Sequence, residues 1–232
     1  MRKHSKKYVE VAKNIEAGKL YSKEEATKLI KTTSVTKFDS TVEVAIRLNI
    51  DNKKSDQQLR GSLVMPNGTG KSKTVLVIAK GALAEEAKKA GADFVGDKDM
   101  LDKIKQENWF GFDVVVATPD MMPEVGKIGN ILGPKGLMPN PKTGTVTTKV
   151  ADVIKDLKSG MVTYKTDTFG NVHTIIGKSS FDEKKLLENL EYVINSINKV
   201  KPQTIKGSFI EAITLSTTMG PGIKVDKNSF DI

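Results

Sequence analysis

The residues best suited to a chemical role lie near the C-terminus, where a predicted strand runs into a stiffened turn. Three hydroxyl side chains, Ser216, Thr217 and Thr218, are followed by Met219 and then by Gly220-Pro-Gly222. The glycines allow the backbone to approach a partner closely, the proline fixes its path, and the methionine adds a flexible apolar tip. Such a turn suits contact with a folded nucleic acid that exposes ribose and base edges. A plain tight hairpin explains the same glycines and proline, so both interpretations stay open.

Residue types that usually build catalytic or metal sites are scarce. The sequence has two histidines, His4 and His173, and no cysteine. Neither histidine has a second ligand at metal-binding spacing, so we expect no metal site, no cofactor and no catalytic triad. Asp97, Asp99 and Asp102 lie in the first turn of a predicted helix, where they complement the helix dipole rather than form a calcium site. We therefore predict that the protein is not an enzyme.

One segment resembles part of a nucleotide phosphate loop. The run Asn67-Gly-Thr-Gly-Lys-Ser72 lacks the glycine that the pattern requires where Met65 stands, and a strand rather than a helix is predicted after it. A flexible joint between domains explains the segment better. A nucleotide-binding enzyme is the rival class, and a nucleotide-induced rise in melting temperature would favour it.

Composition indicates a globular protein with an acidic partner. The 232 residues are 38% hydrophobic and 28% charged, and the formal net charge is +9. The sequence pI is about 9.4, which favours nucleic acid over a membrane surface as the partner. No segment approaches the roughly 18 consecutive apolar residues of a membrane span. The basic N-terminus leads into charged residues rather than into the apolar core of a signal peptide, so we expect a cytoplasmic protein.

Apolar periodicity predicts the N-terminal elements. After a basic arm at 1–7, a helix is expected from Lys7 until Gly18 stops it. Ser22 and Glu25 resemble a capping box that opens a second helix. Strict alternation over 38–50 predicts a strand with one buried and one polar face.

The middle of the chain has a different pattern. Continuous apolar runs at 74–79 and 113–117, with helices at 82–90 and 97–108 between them, indicate a β-α-β-α-β order and a small parallel sheet. Further helices are predicted at 120–132 and 149–158. Alternation then returns in strands at 161–165 and 171–176, followed by a helix at 181–198 that Ser180 and Glu183 would cap.

These patterns predict an α+β discontinuous domain, 1–66 and 160–232, with an inserted α/β domain, Rossmann-like and built on the small parallel sheet, at 67–159. Gly68, Gly70 and Gly160 are the predicted hinges. The insert holds 14 Lys against 12 Asp plus Glu, net +2, which leaves net +7 for the discontinuous domain. The basic surplus therefore accompanies the Met219 turn.

Three motifs carry a family resemblance. They are Ser-Thr-Thr-Met-Gly-Pro-Gly at 216–222, Leu-Gly-Pro-Lys-Gly-Leu-Met-Pro at 132–139, and Arg60-Gly followed by Met65-Pro-Asn-Gly-Thr-Gly-Lys. Over nearly the whole chain the sequence resembles the large-subunit ribosomal proteins conventionally numbered one, in their bacterial form. The glycine- and proline-rich run at 126–144 that contains the second motif is either a shaped loop or a phosphate site built from backbone amides.

The resemblance implies a ribosome-bound structural protein. It implies binding to 23S-type ribosomal RNA at the base of a mobile stalk, help in releasing deacylated tRNA from the exit site, and repression of its own operon mRNA. It also implies a monomer off the ribosome. A basic chaperone or scaffold that binds any polyanion is the alternative, and it would show a steep salt slope with little preference among RNAs.

The expected RNA footprint joins family positions on the 38–50 strand with the C-terminal turn. Glu43 is included because a carboxylate accepts a hydrogen bond from a ribose 2′-hydroxyl or a guanine edge. The predicted contacts are Phe38, Thr41, Glu43, Lys165, Thr166, Asn171, His173, Ser216, Thr217, Thr218, Met219 and Gly220.

Overall fold

A computed structural model describes residues 5–54, 56–205 and 207–230. By its internal contacts the chain divides into two compact units, Met1–Gly70 with Val162–Ile232 and Lys71–Met161. We call these the discontinuous unit and the inserted unit. The predicted boundaries at 66/67 and 159/160 lie a few residues before these divisions. His4 and residues 1–4 of the predicted basic arm lie outside the described residues.

The strands follow one another along both units. In chain order they are β1, Thr41–Leu48; β2, Arg60–Val64; β3, Val75–Ile78; β4, Phe94–Gly96; β5, Val114–Ala117; β6, Met161–Lys165; β7, Asn171–Lys178; β8, Ile210–Thr217; and β9, Ile223–Val225.

The helices lie before and between these strands. The α-helices are α1, Lys6–Ala12; α2, Lys23–Thr32; α3, Ala82–Lys89; α4, Lys98–Glu107; α5, Met122–Lys127; α6, Gly129–Leu132; α7, Val150–Ser159; and α8, Glu183–Lys199. Short 3₁₀ turns occupy Pro119–Met121, Pro141–Thr143 and Lys227–Ser229.

An antiparallel sheet in the order β7-β1-β8-β9 organises the discontinuous unit. Along β1 the side chains of Val42, Val44, Ile46 and Leu48 are buried, as the alternation predicts. They share a core with the apolar stripe of α8 and with Ile30 of α2. The opposite face of the sheet presents the polar side chains of β1. β2 and β6 form a separate two-stranded sheet.

The inserted unit is built on a parallel sheet in the order β4-β3-β5. All four residues of the central strand β3 are buried, because helices cover both faces of such sheets. Strand β3 itself follows the Asn67–Ser72 segment, where a phosphate loop would require a helix. The predicted fold class, α+β with an inserted small parallel sheet, is confirmed.

The capping box predicted for α2 is present, whereas the cap predicted for α8 is not. Ser22 accepts a hydrogen bond from the Glu25 amide, and the Glu25 carboxylate accepts one from the Ser22 amide, so the predicted capping box is present. The predicted cap of α8 is wrong: the helix starts at Glu183, its N-cap residue is Asp182, and that side chain makes no cap hydrogen bond. The Ser180 hydroxyl instead donates to Asp39 at 2.8 Å.

The first helix is shorter than its apolar spacing predicts. It ends at Ala12, and the next turns close with amide bonds from Asn14 to Val11 and from Ile15 to Ala12. These bonds span three residues, as in a 3₁₀ turn, so the apolar spacing persists although the α-helix has ended. Gly18 then takes a left-handed φ of 87°.

Candidate nucleic-acid interface

Met219 stands at the tip of the turn between β8 and β9. Its side chain is 75% exposed, and its backbone has a φ of 64°. A left-handed conformation costs a residue with a side chain about 1–2 kcal/mol, so glycine would be the easier choice here. An amide bond from Gly220 to the Thr217 carbonyl, 2.8 Å, closes the turn. The fold thus holds a large apolar side chain out in solvent at a conformational cost, which is a feature of binding sites.

Gly220 and Thr217 pack tightly beneath this tip. A Cβ atom on Gly220 would lie 2.2 Å from the Thr217 Oγ1 and 3.1 Å from the Thr33 carbonyl oxygen, so only glycine fits. Thr217 is buried, and its hydroxyl oxygen has no hydrogen-bond partner. Its side chain therefore faces the interior rather than a ligand. The sequence could have shown this, because side chains alternate between the two faces of a strand and Ile213 and Leu215 of β8 are also buried.

Thr218 fixes the turn to the start of β1. Its hydroxyl accepts a hydrogen bond from the Thr41 amide at 3.1 Å, and its amide donates to the Thr41 carbonyl at 3.0 Å. The Thr41 hydroxyl in turn accepts from the Lys178 ammonium at 3.0 Å. Lys178, which sequence reasoning missed, thereby places a positive charge beside the turn.

Phe38 and Met219 line the same hollow. The Phe38 ring is 59% exposed, and the hollow is open, with a volume of about 610 Å³, and is also lined by Ser5, Tyr8, Val35 and Thr36. Exposed Phe and Met side chains around one hollow form an apolar surface that fits a base or ribose face.

Glu43 and Ser216 continue this surface across the outer face of the sheet. They are paired across β1 and β8, and Ile175 of β7 lies opposite Glu43 on the other side. The next outward row joins His173, Ala45 and Thr214. Small side chains in the middle of this face let a partner lie close to the strands.

A second group of predicted contacts surrounds the turn between β6 and β7. The Asp167 Oδ1 accepts hydrogen bonds from the amides of Phe169 and Asn171, at 2.8 and 2.7 Å. The Asn171 side-chain amide donates to the Asp167 Oδ2 at 2.9 Å, and the His173 Nε2 lies 3.6 Å from the same oxygen. Sequence reasoning missed Asp167, the residue that organises this turn.

The other predicted residues of this group divide by exposure. Lys165 and His173 are exposed, and Asn171 is half-buried. Thr166 is buried, and its amide donates to the Leu59 carbonyl at 3.0 Å. Like Thr217, it supports the surface from within. The structure therefore places the predicted residues at the two ends of β1, with Glu43, Ser216 and His173 between them.

Asp167 makes this turn sensitive to acid. Partial desolvation favours a raised pKa, but the hydrogen bonds from Asn171 and Phe169 outweigh it and lower the pKa of Asp167 to about 2. Since an unfolded aspartate has a pKa of about 3.9, ionised Asp167 stabilises the fold above that pH, and the contribution fades as pH falls towards 2. In urea unfolding from pH 7 to 2, the stability difference between wild type and Asp167→Ala should shrink only below about pH 4. A difference independent of pH would contradict this role.

The glycine- and proline-rich run at 126–144 satisfies much of its own backbone. Amides of Gly133, Gly136 and Leu137 donate to nearby carbonyls, and the Asn140 amide donates to the Thr145 hydroxyl at 2.8 Å. The Lys135 ammonium lies 3.9 Å from the centroid of the Phe110 ring. Because these amides already have partners, the geometry favours the shaped-loop interpretation over a phosphate site.

The predicted hinge glycines all have left-handed backbones, with φ of 67° at Gly68, 71° at Gly70 and 108° at Gly160. Gly68 is also held, because its carbonyl accepts a hydrogen bond from the Asn189 side chain at 3.1 Å. Gly160 ends α7 as its left-handed C-cap.

A family comparison decides how this surface is interpreted. The model of the ribosomal protein L1p/L10e family matches residues 29–221, which include every predicted contact residue. The chain belongs to this family. It is therefore a ribosomal protein that binds ribosomal RNA, from a family of structural rather than enzymatic proteins.

The L1p/L10e match covers the whole inserted unit and most of the discontinuous unit, and it ends at Pro221, inside the turn that carries Met219. It confirms the family resemblance, while the bacterial form stays a prediction. Helix α1, which contributes Tyr8 to the hollow beside Phe38, precedes the matched residues. Among the described residues, no helix is long and apolar enough to cross a membrane, and no group of three potential ligands could hold a metal ion.

Proposed function

We propose that the outer face of the sheet in the discontinuous unit is the surface that recognises ribosomal RNA. The observation that carries the proposal is the exposed, left-handed Met219, fixed to the start of β1 by the paired hydrogen bonds between Thr218 and Thr41. Because these hydrogen bonds already hold the turn in place in the free protein, RNA binding has a small entropic cost for ordering it.

Charge and shape have different roles in this proposal. Lysines of the basic discontinuous unit attract phosphates, including Lys178 beside the turn and Lys165 at the other end of β1. Phe38, Met219, Glu43 and the hydroxyls recognise a folded RNA by fit and by hydrogen bonds to ribose and base edges. Thr166, Thr217 and Gly220 set the backbone beneath them.

The RNA bound in this way is large-subunit ribosomal RNA at the base of the mobile stalk beside the exit site. Bound there, the protein helps to release deacylated tRNA during translocation. The protein works as a monomer off the ribosome, and sedimentation of the free protein would test that state.

The same surface represses translation of the protein's own operon mRNA, because that mRNA mimics the ribosomal site. Competition tests this directly: unlabelled operon leader should displace a labelled stalk-base RNA, and Met219→Ala should weaken both complexes in parallel. Simultaneous binding of both RNAs to one protein molecule would overturn the shared surface.

The hinges complete the proposal. Left-handed glycines at Gly68, Gly70 and Gly160 permit the inserted unit to change orientation, while Asn189 holds the chain at Gly68. Free protein in small-angle scattering should require an ensemble of interdomain arrangements. A single rigid shape that fits the whole curve would remove the hinge from the account.

A further inference from the structure

Phe169, at the tip of the turn between β6 and β7, has no part in the predicted footprint. Its side chain is 80% exposed, the highest value among the exposed large hydrophobic residues of the described chain. A single exposed apolar side chain is ordinary on a protein surface, so the inference depends on how the turn holds Phe169 and on the side chains around it.

The turn holds the backbone of Phe169 in a fixed position. The Phe169 amide donates to the Asp167 carboxylate at 2.8 Å, and the Asp167 amide donates to the Asn171 carbonyl at 2.8 Å. The Gly170 carbonyl accepts a bond from the Leu48 amide at 3.0 Å, which ties the turn to the end of β1. A Cβ atom on Gly170, whose φ is 84°, would lie 3.1 Å from the Leu48 carbonyl oxygen, so the turn approaches β1 as closely as glycine allows.

The neighbouring side chains indicate which partner covers the ring. Lys165 and His173 are exposed close to the turn, and Arg47 lies on β1 opposite Asn171. Arg47 is paired with the Glu211 carboxylate at 2.8 Å. Asp167, which lies 3.6 Å from the His173 Nε2, is occupied by three hydrogen bonds within the turn. An aromatic ring among cationic and polar groups suits a nucleobase beside its phosphates, whereas an apolar protein partner would need further exposed apolar side chains.

Phe169 and Met219 mark opposite ends of one strand. Met219 is fixed beside Thr41 and Phe169 beside Leu48, the first and last residues of β1. At about 3.3 Å a residue, these ends lie roughly 23 Å apart. Ala45, Thr214 and Ser216 present small side chains on the sheet between them, beside His173 and the Arg47–Glu211 ion pair. An RNA lying along the proposed surface would span both ends of β1.

We infer that Phe169 is a base-stacking contact: an unpaired nucleobase of the bound ribosomal RNA stacks on its ring. This inference rests on the proposed RNA surface and extends it to the far end of β1. It adds an apolar contact at the other end of β1, a strand about 23 Å long, that requires an unpaired base at the corresponding point of the RNA.

Substitutions at Phe169 separate stacking from charge. Phe169→Ala should weaken binding to the stalk-base RNA by about 5- to 100-fold, because it removes the binding free energy of one stacked base. Phe169→Trp should retain affinity, and the salt slope should not change because no phosphate contact is lost. Tyr192→Ala is the matched control, since that ring is 41% exposed on α8, which packs against the other face of the sheet; its affinity should equal that of wild type.

An RNA-side experiment identifies the partner base. Each unpaired nucleotide of the fragment is made abasic in turn. At one position the loss of affinity should equal that caused by Phe169→Ala, and combining this RNA with the Phe169→Ala protein should cause no further loss. If Phe169→Ala binds as wild type does while Met219→Ala is impaired, the stacking inference is overturned and the proposed surface stands. If both variants bind as wild type does, the surface fails as well.

Discussion

Replacing Met219 by alanine or glycine should weaken binding to the stalk-base ribosomal RNA by about 10- to 100-fold, because burial of a methionine side chain against RNA is worth about 1.5–3 kcal/mol. For Met219→Ala the free energy of unfolding should change little, since Met219 is 75% exposed in the free protein. Glycine adopts the left-handed φ of 64° without the steric cost, so Met219→Gly separates binding from strain. Filter binding and urea unfolding of the same preparations measure both quantities.

Val200→Ala is the control for this prediction. Val200 is also an exposed apolar residue of the discontinuous unit, but it follows α8, so its loss should not affect RNA affinity. If both Met219 variants bound the RNA as tightly as wild type, Met219 would not be part of the binding site.

Replacing Asn189 by alanine should destabilise the discontinuous unit by about 2–4 kcal/mol. Asn189 lies fully buried on α8. Its amide nitrogen donates to the carbonyls of Ile176 and Gly68 at 2.7 and 3.1 Å, and its oxygen accepts from the Asn67 amide at 3.1 Å. Alanine leaves these three backbone groups without their partner. The measurement is chemical unfolding, followed by a probe in the discontinuous unit.

The same helix provides a matched control. Asn195→Ala removes an exposed asparagine from α8 and should change the unfolding free energy by less than about 0.5 kcal/mol. Because Asn189 also holds Asn67 and Gly68, its loss should loosen the chain at the first joint and broaden the distribution of interdomain distances in scattering. Equal stability of the two variants would contradict the role of Asn189.

Residue patterns predict the fold well where one physical signal dominates. Alternation along β1 and continuous burial of β3 reflect the sheet faces that are covered, so both strands could be located from hydrophobicity alone. The middle strand β4 was implied by the β-α-β-α-β order without being located, because it has only three residues and all are half-buried. Helix α1 ends before the point that its apolar spacing predicts, because the same spacing continues through the turns that follow the helix.

Long-range partners explain what the sequence could not show. Ser180 has the right spacing to cap α8, but Asp39, distant in sequence, takes its hydroxyl. Asn189 falls within an apolar stripe, and its three backbone partners come together only in the folded chain. At the proposed RNA surface, the motif placed Met219 in a turn, as the structure has it. The burial of Thr166 and Thr217 follows from alternation along the strands, which the motif alone does not show.

The exposed residues at the two ends of β1 suggest how this surface distinguishes RNAs. Lysines attract any polyanion, and their contribution declines steeply with salt. The fixed apolar tips and the polar groups between them contribute to binding only with an RNA of matching shape. Their contribution to the affinity persists as the salt concentration rises. On the proposed surface, specificity therefore depends on side chains that carry no positive charge.

The most direct test of this account is binding of the purified protein to a stalk-base fragment of large-subunit ribosomal RNA and to an unrelated structured RNA of equal length, each across a salt series. We predict tight binding to the stalk fragment that survives at high salt, while the control RNA is lost. Equal affinities that decline together with salt would identify a general polyanion binder and contradict the recognition surface.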